Sequence, residues 1–496
     1  MDRLSSEIIH IIASLLSVDD LLNFRLVSRS FADVGAGYLL PEVTFQAHEE
    51  ELERLRAISL HPIFSRNVKS LIYIGDIRFP PSPFFNFVRD YERTREYYYP
   101  SPDLSLSQLE TGYKQYEAAA SNQRRVLTSR LDVACLEEVL PRLTSLRMVT
   151  MSDNCRFHKG RHAKPRPTPF NRTFDVLGPG LTDRPFGRPL DAFLLANASA
   201  RCNIEHLRAG TLPWKFFDKD PAELKLIFSP FSNLRGIELY MDIIPEEHTR
   251  AGTWSELRRF RESMTKGTIR DLLSSMADLQ VMSVNVECFH EIEETEDFYA
   301  VAPLSHWIQP AYRWQDLQKL VLSGIECPRQ ELMSMLELHR ETLREVCLRD
   351  VDLKQTSWDK LLPWIRKTLY LHDACICGVL LGSSETDIIP GGPSRIREHY
   401  DVPGDESGRT KFGYSINMYC RRGGECYPDE LPVDHTIIEK HYDRYVANIF
   451  PRPVDDRLPL LAGGGIYREE FWEDVENSDN NDDDSENGFS DNDSGQ

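Results

Sequence analysis

Residues 317–322 read LQKLVL and residues 343–348 read LREVCL. In each, one apolar residue is followed three positions later by a second and two positions later by a third: Leu317, Leu320, Leu322 and Leu343, Val346, Leu348. On a strand the last two side chains of each trio leave the same face. The spacing recurs in VKSLIY (Val68, Leu71, Tyr73), LTSLRM (Leu143, Leu146, Met148), IEHLRA (Ile204, Leu207), LRGIEL (Leu234, Ile237, Leu239) and LQVMSV (Leu279, Met282, Val284). The first positions stand 75, 61, 30, 45, 38 and 26 residues apart, too uneven for a strict array.

Helical patterns fill several intervals, at 135–140, 221–228, 254–276 and 330–340. A short strand with one helix cannot cover its own apolar face, so such units must stack on their neighbours. The fold class is α/β. The alternation resembles irregular leucine-rich repeats, which implies a curved strand/helix solenoid over 43–382 with a parallel sheet on one side. An ordinary domain of alternating strands and helices is the alternative. Val43, Thr44 and Phe45 read as a first strand, and 48–60 as a charged helix bearing Leu52, Leu55 and Ile58.

Residues 79–130 form an insertion, broken by proline in FPPSPFFNF and YYYPSPD, then helical at 104–129 with Leu106, Leu109, Tyr113 and Tyr116 along one side. Its aromatics are core, or, with Phe84, Phe85, Tyr97, Tyr98 and Tyr99, a partner surface. At 156–172 Arg156, Lys159, Arg161, Lys164, Arg166 and Arg172 stand with no acid among them. That is a surface loop, with capture of an acidic or phosphorylated segment, or of the chain's own tail, as alternatives. Residues 383–472 lose periodicity and read as loops capping the repeats. The acidic tail at 473–496 has little to bury and reads as disordered.

Before the repeats, residues 4–31 read LSSEIIHIIASLLSVDDLLNFRLVSRSF. Ile8, Ile11, Ile12, Leu15 and Leu16 form a helical stripe that Leu4 extends, with Ser5 or Ser6 at its cap. Ser17 and Asp20 open a second helix whose stripe is Val18, Leu21, Leu22 and Leu26, while Phe24, Val27 and Phe31 lie on another side. So few residues cannot bury that much hydrocarbon alone. The surplus packs on the rest of the chain or awaits another protein.

Leu4, Glu7, Ile8, Ile11, Leu15, Leu16, Asp20, Leu21, Leu22, Arg25, Leu26, Val27, Ser28, Arg29 and Phe31 together resemble the F-box, in the form common in filamentous fungi, L-P-x-E-I followed by D-L-L-x-x-R-L-V-S-R-x-F. The resemblance covers about forty residues and implies a three-helix module over 1–42 that docks a Skp-type adaptor. Adaptor contact would fall to Leu4, Glu7, Ile8, Ile11, Leu15, Leu16, Leu21, Leu22, Arg25, Leu26, Val27 and Phe31. Through the adaptor, cullin and RING subunits would join, making the chain the substrate receptor of a ubiquitin ligase; an adaptor-bound scaffold without cullin is the alternative. Two positions depart from the pattern: Ser5 replaces the usual proline, and Phe31 stands where animal members carry tryptophan.

The 496 residues carry 58 basic and 78 acidic side chains, a net −20; twelve acids follow Arg468, so the body is only about −20 + 12 = −8. That argues against a nucleic-acid partner. Ten cysteines, scattered from Cys135 to Cys426 without a leader-like start, fit free thiols in the cytoplasm or nucleus. No apolar run reaches the length needed to cross a bilayer, so no membrane association is expected. Phosphate loops, nucleophile elbows, zinc-protease helices and dinucleotide fingerprints are missing from the sequence. Cys155, His158 and His162, or Cys375, Cys377, Cys420 and Cys426, lack paired zinc-ligand spacing. The expectation is a non-catalytic chain with no cofactor or metal, whose protein substrate the sequence does not name.

Overall fold

A computed structural model describes residues 4–75, 77–78, 83–97, 105–152, 182–183, 187–243, 250–288, 302–354, 358–383, 397–402 and 420. The basic loop at 156–172 and the acidic tail at 473–496 lie outside them, as do Tyr98 and Tyr99.

Three helices come first: α1 (Ser6–Leu15), α2 (Val18–Phe24) and α3 (Arg29–Leu39). Then β1 (Glu42–Gln46) and β2 (Ser70–Ile74) begin a parallel sheet. It continues, after the two-residue β3 (Ile77–Arg78), through β4 (Met148–Ser152). Past β5 (Thr182–Asp183), which pairs with β3, come β6 (His206–Pro213), β7 (Gly236–Ile243) and β8 (Val281–Cys288). Beyond the short β9 (Ala302–Pro303) lie β10 (Lys319–Ser323), β11 (Ile325–Pro328), β12 (Glu345–Arg349), β13 (Asp352–Lys354) and β14 (Asp373–Ser383). The order β1-β2-β4-β6-β7-β8-β10-β12-β14 follows the chain, so each crossover adds one strand on the same side of the last.

The register aligns the apolar spacing across the whole sheet. Leu71, Val149, Leu207, Ile237, Met282, Leu320, Val346 and Ala374 form one row; Tyr73, Met151, Ala209, Leu239, Val284, Leu322, Leu348 and Ile376 form the next. None is more than 3% exposed, and each large aliphatic member contributes roughly 1.5–3 kcal/mol by leaving water. One frame differs from the sequence reading. In the second segment the sheet uses Leu146, Val149 and Met151, three residues beyond Leu143, Leu146 and Met148. Both trios satisfy the spacing, but only the later one brings Ser70 opposite Met148. The pattern also extends to Val43 and Phe45 at one end and to Leu371, Ala374 and Ile376 at the other.

Entry into each strand is fixed by a repeated backbone link. The Pro41 carbonyl accepts hydrogen bonds from the amides of Lys69 (2.7 Å) and Ser70 (3.0 Å), and the Lys69 carbonyl from those of Arg147 (2.9 Å) and Met148 (3.0 Å). The same arrangement, two amides on one carbonyl, recurs at Arg147, Glu205, Arg235, Gln280, Gln318 and Arg344. It satisfies donors that would otherwise be buried without partners just before pairing begins.

Helices line one face. Glu49–Leu60 touches Leu131–Val139, which touches Arg188–Ala200, then Pro221–Phe228, Thr268–Ser274, Leu304–Trp307 and Arg329–Leu338 in succession. Their apolar sides and the two strand rows make one continuous core. A buried polar link sits inside it: Asp132 accepts from the Tyr73 hydroxyl (3.0 Å) and from the Arg188 guanidinium (3.0 Å). Pro221–Phe228 matches the sequence reading. The stretch expected as one helix at 254–276 is two, Arg250–Met264 and Thr268–Ser274, because Gly267 between them has φ +69°. In the insertion the helix Leu106–Thr128 buries Leu109 and Tyr116 against Phe87, whereas Leu106 is exposed. Phe84 packs edge-on to Tyr113, and Phe85 faces solvent.

Two corners re-aim the chain after β10 and β12. Gly324 (φ +72°) and Asp350 (φ +51°) both adopt left-handed backbone, and each donates its amide to the next strand, to the carbonyls of Arg349 and Cys377. Beyond these corners β9, β11 and β13 pair in parallel, and β13 meets the far half of β14. Where loops were expected beyond 383, β15 (Arg397–Val402) pairs antiparallel with β14.

The corner gives a first prediction. A Cβ at Gly324 would meet the Val286 carbonyl oxygen in a backbone region that L residues disfavour, so Gly324→Ala should lower unfolding free energy by about 2 kcal/mol or more. Gly112 occupies an open helical position, with nothing within 4 Å of where an added methyl would stand, and should respond oppositely, Gly112→Ala raising stability by about 0.5–1 kcal/mol. Denaturant titration of the two variants should show midpoints moving in opposite directions.

Candidate functional site

The amino-terminal helices are built by local signals. Ser17 accepts from the Asp20 amide (3.2 Å) and donates its hydroxyl to the Asp20 carboxylate (2.6 Å), which starts α2. Ser28 likewise accepts from the Phe31 amide (3.3 Å) to start α3. Ser5 stands at the N-cap of α1 but makes no side-chain cap. The Glu7 carboxyl is held below the usual carboxylate range by its own backbone amide and by the Ser5 hydroxyl.

Inside the module Ile9, Ala13, Leu21, Phe24 and Phe31 form a small core, with Ile12, Leu16, Val34, Tyr38 and Leu39 packed around it. The rings of Phe24 and Phe31 lie 4.5 Å apart. α3 lies close over the end of α2: Gly35 leaves room for the Arg25 stem, whose Nε donates to the Ala32 carbonyl (3.3 Å).

This core divides the sequence-derived docking residues into two groups. Leu16 is half-buried against the core, Leu21 and Phe31 are buried in it, and Arg25 is half-buried at the α2–α3 junction. The others remain in water: Leu4, Ile8, Ile11 and Leu15 on α1 and its entry, with Leu15 75% exposed, and Leu22, Leu26 and Val27 at α2 and its exit, with Leu26 83% exposed. Glu7 is exposed among the first group. The single stripe read from sequence over α1 is therefore two. Ile9, Ile12, Ala13 and Leu16 turn inward; Leu4, Ile8, Ile11 and Leu15, at i, i+4, i+7 and i+11, turn outward. Ile9 and Ala13 were absent from the sequence reading, although their own four-residue spacing marks the second stripe.

The module is joined closely to the sheet. α3 packs on the helix Phe64–Asn67, where Gly37 fits against the Asn67 side chain, and Pro41 supplies the first strand-entry carbonyl. The opposite side of the sheet, on which none of the described helices named above packs, carries alternate positions that are themselves buried apart from half-buried Cys375. Between the buried rows, the alternate positions are Thr150, Arg208, Glu238, Ser283, Val321, Cys347 and Cys375. Its charges are paired along the sheet: Arg208 with Glu238 (3.1 Å) and Lys319 with Glu345 (3.0 Å). Among the described residues no cluster of His, Cys, Asp or Glu has a metal-binding arrangement, and no helix is long and apolar enough to cross a membrane. Cys155, His158, His162 and Cys426 lie outside those residues.

Phe31→Ala should remove about 3–5 kcal/mol of packing from the module alone. Hydrogen exchange should accelerate in α1–α3 while amides of β7, β8 and β10 keep their protection; equal acceleration in both regions would count against a separate small core.

No curated protein matches the chain. A family profile described as the F-box domain matches residues 1–35, the span of α1, α2 and the first turns of α3. F-box domains imply docking onto a Skp-type adaptor, and the proteins that carry them are typically non-catalytic adaptors. Ahead of a mixed helix-and-strand region built on a parallel sheet, the chain thus carries an F-box domain.

Proposed function

We propose that this chain is the substrate-recognition subunit of a Skp–cullin–F-box ubiquitin ligase. The observation that carries the reading is the outward group of Leu4, Ile8, Ile11, Leu15, Leu22, Leu26 and Val27, large apolar side chains left 42–83% exposed on a module too small to cover them. Burying them against helices of an adaptor would remove that surface from water, with roughly 25 cal/mol gained per Å². Leu21, Phe31 and Leu16 act indirectly, by holding the helices that present this surface.

The sheet region follows as a leucine-rich-repeat-like solenoid that holds the target protein. The catalytic steps belong to the RING subunit and its conjugating enzyme. The contribution of this chain is positioning, which raises the effective concentration of a target lysine at the thioester. The complex works in the cytoplasm or nucleus, where the cysteines stay reduced.

The test is pulldown of the full-length chain with Skp-type adaptor and cullin. Leu15→Asp combined with Leu26→Asp places charge on the two most exposed positions without touching the small core, and should reduce adaptor recovery at least tenfold, the equivalent of about 1.4 kcal/mol. Adaptor binding retained by the folded double variant would refute the docking surface. Leu16→Asp should instead unfold the module, because Leu16 packs inward. Cullin and RING subunits recovered with the wild-type chain support the ligase; adaptor recovered without them would assign the chain to adaptor-bound scaffolds.

A further inference from the structure

Three thiols converge on the helix-free face near the last strands of the parallel run. Cys347 on β12 lies directly opposite Cys375 on β14, and Cys377, two residues on, places its sulfur 3.6 Å from that of Cys375. Cys375 is half-buried, while the other two are buried beside it. Two cations share this corner. Lys319 lies one strand further along the sheet, and Arg349 sits in register with Cys377. Cys377 belongs to the apolar core and Cys375 packs against it, which leaves Cys375 the one half-buried sulfur of the three.

We propose that Cys375 and Cys347 form a hydroperoxide-reactive thiol pair, with Cys375 as the attacking thiolate and Cys347 as the resolving thiol. The hydrogen bonds from Cys347 and Cys377, and then the charges of Arg349 and Lys319, hold the Cys375 thiol below its ordinary range against the effect of burial. Cys347 is pushed the other way, chiefly by its contact with Cys375.

The chemistry closes without a cofactor. The Cys375 thiolate attacks the peroxide O–O bond; an S–O bond forms, the O–O bond breaks, and the departing hydroxide takes a proton to leave as water. The Cys347 sulfur then attacks the sulfenic sulfur of Cys375, forming an S–S bond as the S–O bond breaks, and the thiol proton leaves with the hydroxide as a second water. Two thiols lose two electrons and one hydrogen peroxide is reduced to two waters.

Strand spacing admits Cys347 as the resolving partner, and Cys377, whose sulfur lies 3.6 Å from that of Cys375, is the competitor that the test separates from it. Paired residues on neighbouring strands are about 4.8 Å apart, inside the usual 4.4–6.8 Å span for disulfide-linked Cα atoms. Residues two apart on one strand are separated by about 6.6 Å, near its upper limit. The resulting bond would link β12 to β14. This assignment stands independently of whether the chain enters a cullin complex.

The test exposes the reduced full-length chain to hydrogen peroxide with a sulfenic-acid trap such as dimedone, followed by non-reducing digestion and mass spectrometry. A Cys347–Cys375 peptide should form in the wild-type protein and in Cys377→Ser. Cys347→Ser should block the disulfide and accumulate dimedone on Cys375, and Cys375→Ser should abolish both products. Trapping at Cys375 in Cys347→Ser should outpace that at half-buried Cys202 by about tenfold, the gain in thiolate fraction less the loss in nucleophilicity. Circular dichroism of each serine variant should match wild type. Trapping at Cys375 no faster than at Cys202 would overturn the proposal, and a Cys375–Cys377 bond in place of the cross-strand one would overturn the role given to Cys347.

Discussion

One carbonyl per strand, placed just before pairing begins, receives two amides from the strand that follows, and the rest of the structure depends on that link. From Pro41 to Arg344 each link fixes where the next strand begins, whatever the length of the crossover between them. Crossovers of very different length are tolerated because a longer loop adds closure entropy only slowly, about 0.6 kcal/mol per doubling. The strand entry cannot slip by one residue without turning every side chain of that strand to the other face. Uneven spacing in the chain and strict register in the sheet are therefore compatible.

Much of the sheet was legible from sequence because the constraint acts on side chains. Six of the seven segments with this spacing occupy the frame that the register uses, and their neighbours on the inward rows are buried as the pattern requires. The failure at Leu143 is informative. That segment contains two overlapping trios, and Met148, which looks inward in one of them, lies on the outward row in the other. Only the partner strand distinguishes them. The last strand of the run, β14, escaped notice for a different reason: Ala374 supplies too little hydrocarbon to be seen in the spacing. Of the two left-handed corners, Gly324 is signalled by residue type and Asp350 is not.

The docking module was legible as an excess of apolar residues, but periodicity alone did not divide that excess. On α1 almost every position is apolar between Ile8 and Leu16, so helical spacing supports more than one stripe. Packing against Phe24 and Phe31 selects Ile9 and Ala13 for the core, leaving Ile8, Ile11 and Leu15 outside. The small residue Ala13 is what permits close approach, and small residues carry little weight in a hydrophobicity pattern. The sheet's helix-free face was hidden for the complementary reason. Its residues, polar and apolar alike, alternate with the aliphatic rows, and their chemistry becomes visible only after the strands are laid side by side.

The short passage from α3 to β1 has a mechanical consequence. α3 ends at Leu39, Pro41 already serves as the first strand-entry acceptor, and Gly37 is seated against Asn67. Proline also removes a free φ torsion and a backbone donor at the junction. Little chain is left there to act as a swivel, so torque applied to the three helices is transmitted to the sheet. Whatever grips the module sets the compass bearing of the sheet's helix-free face as well.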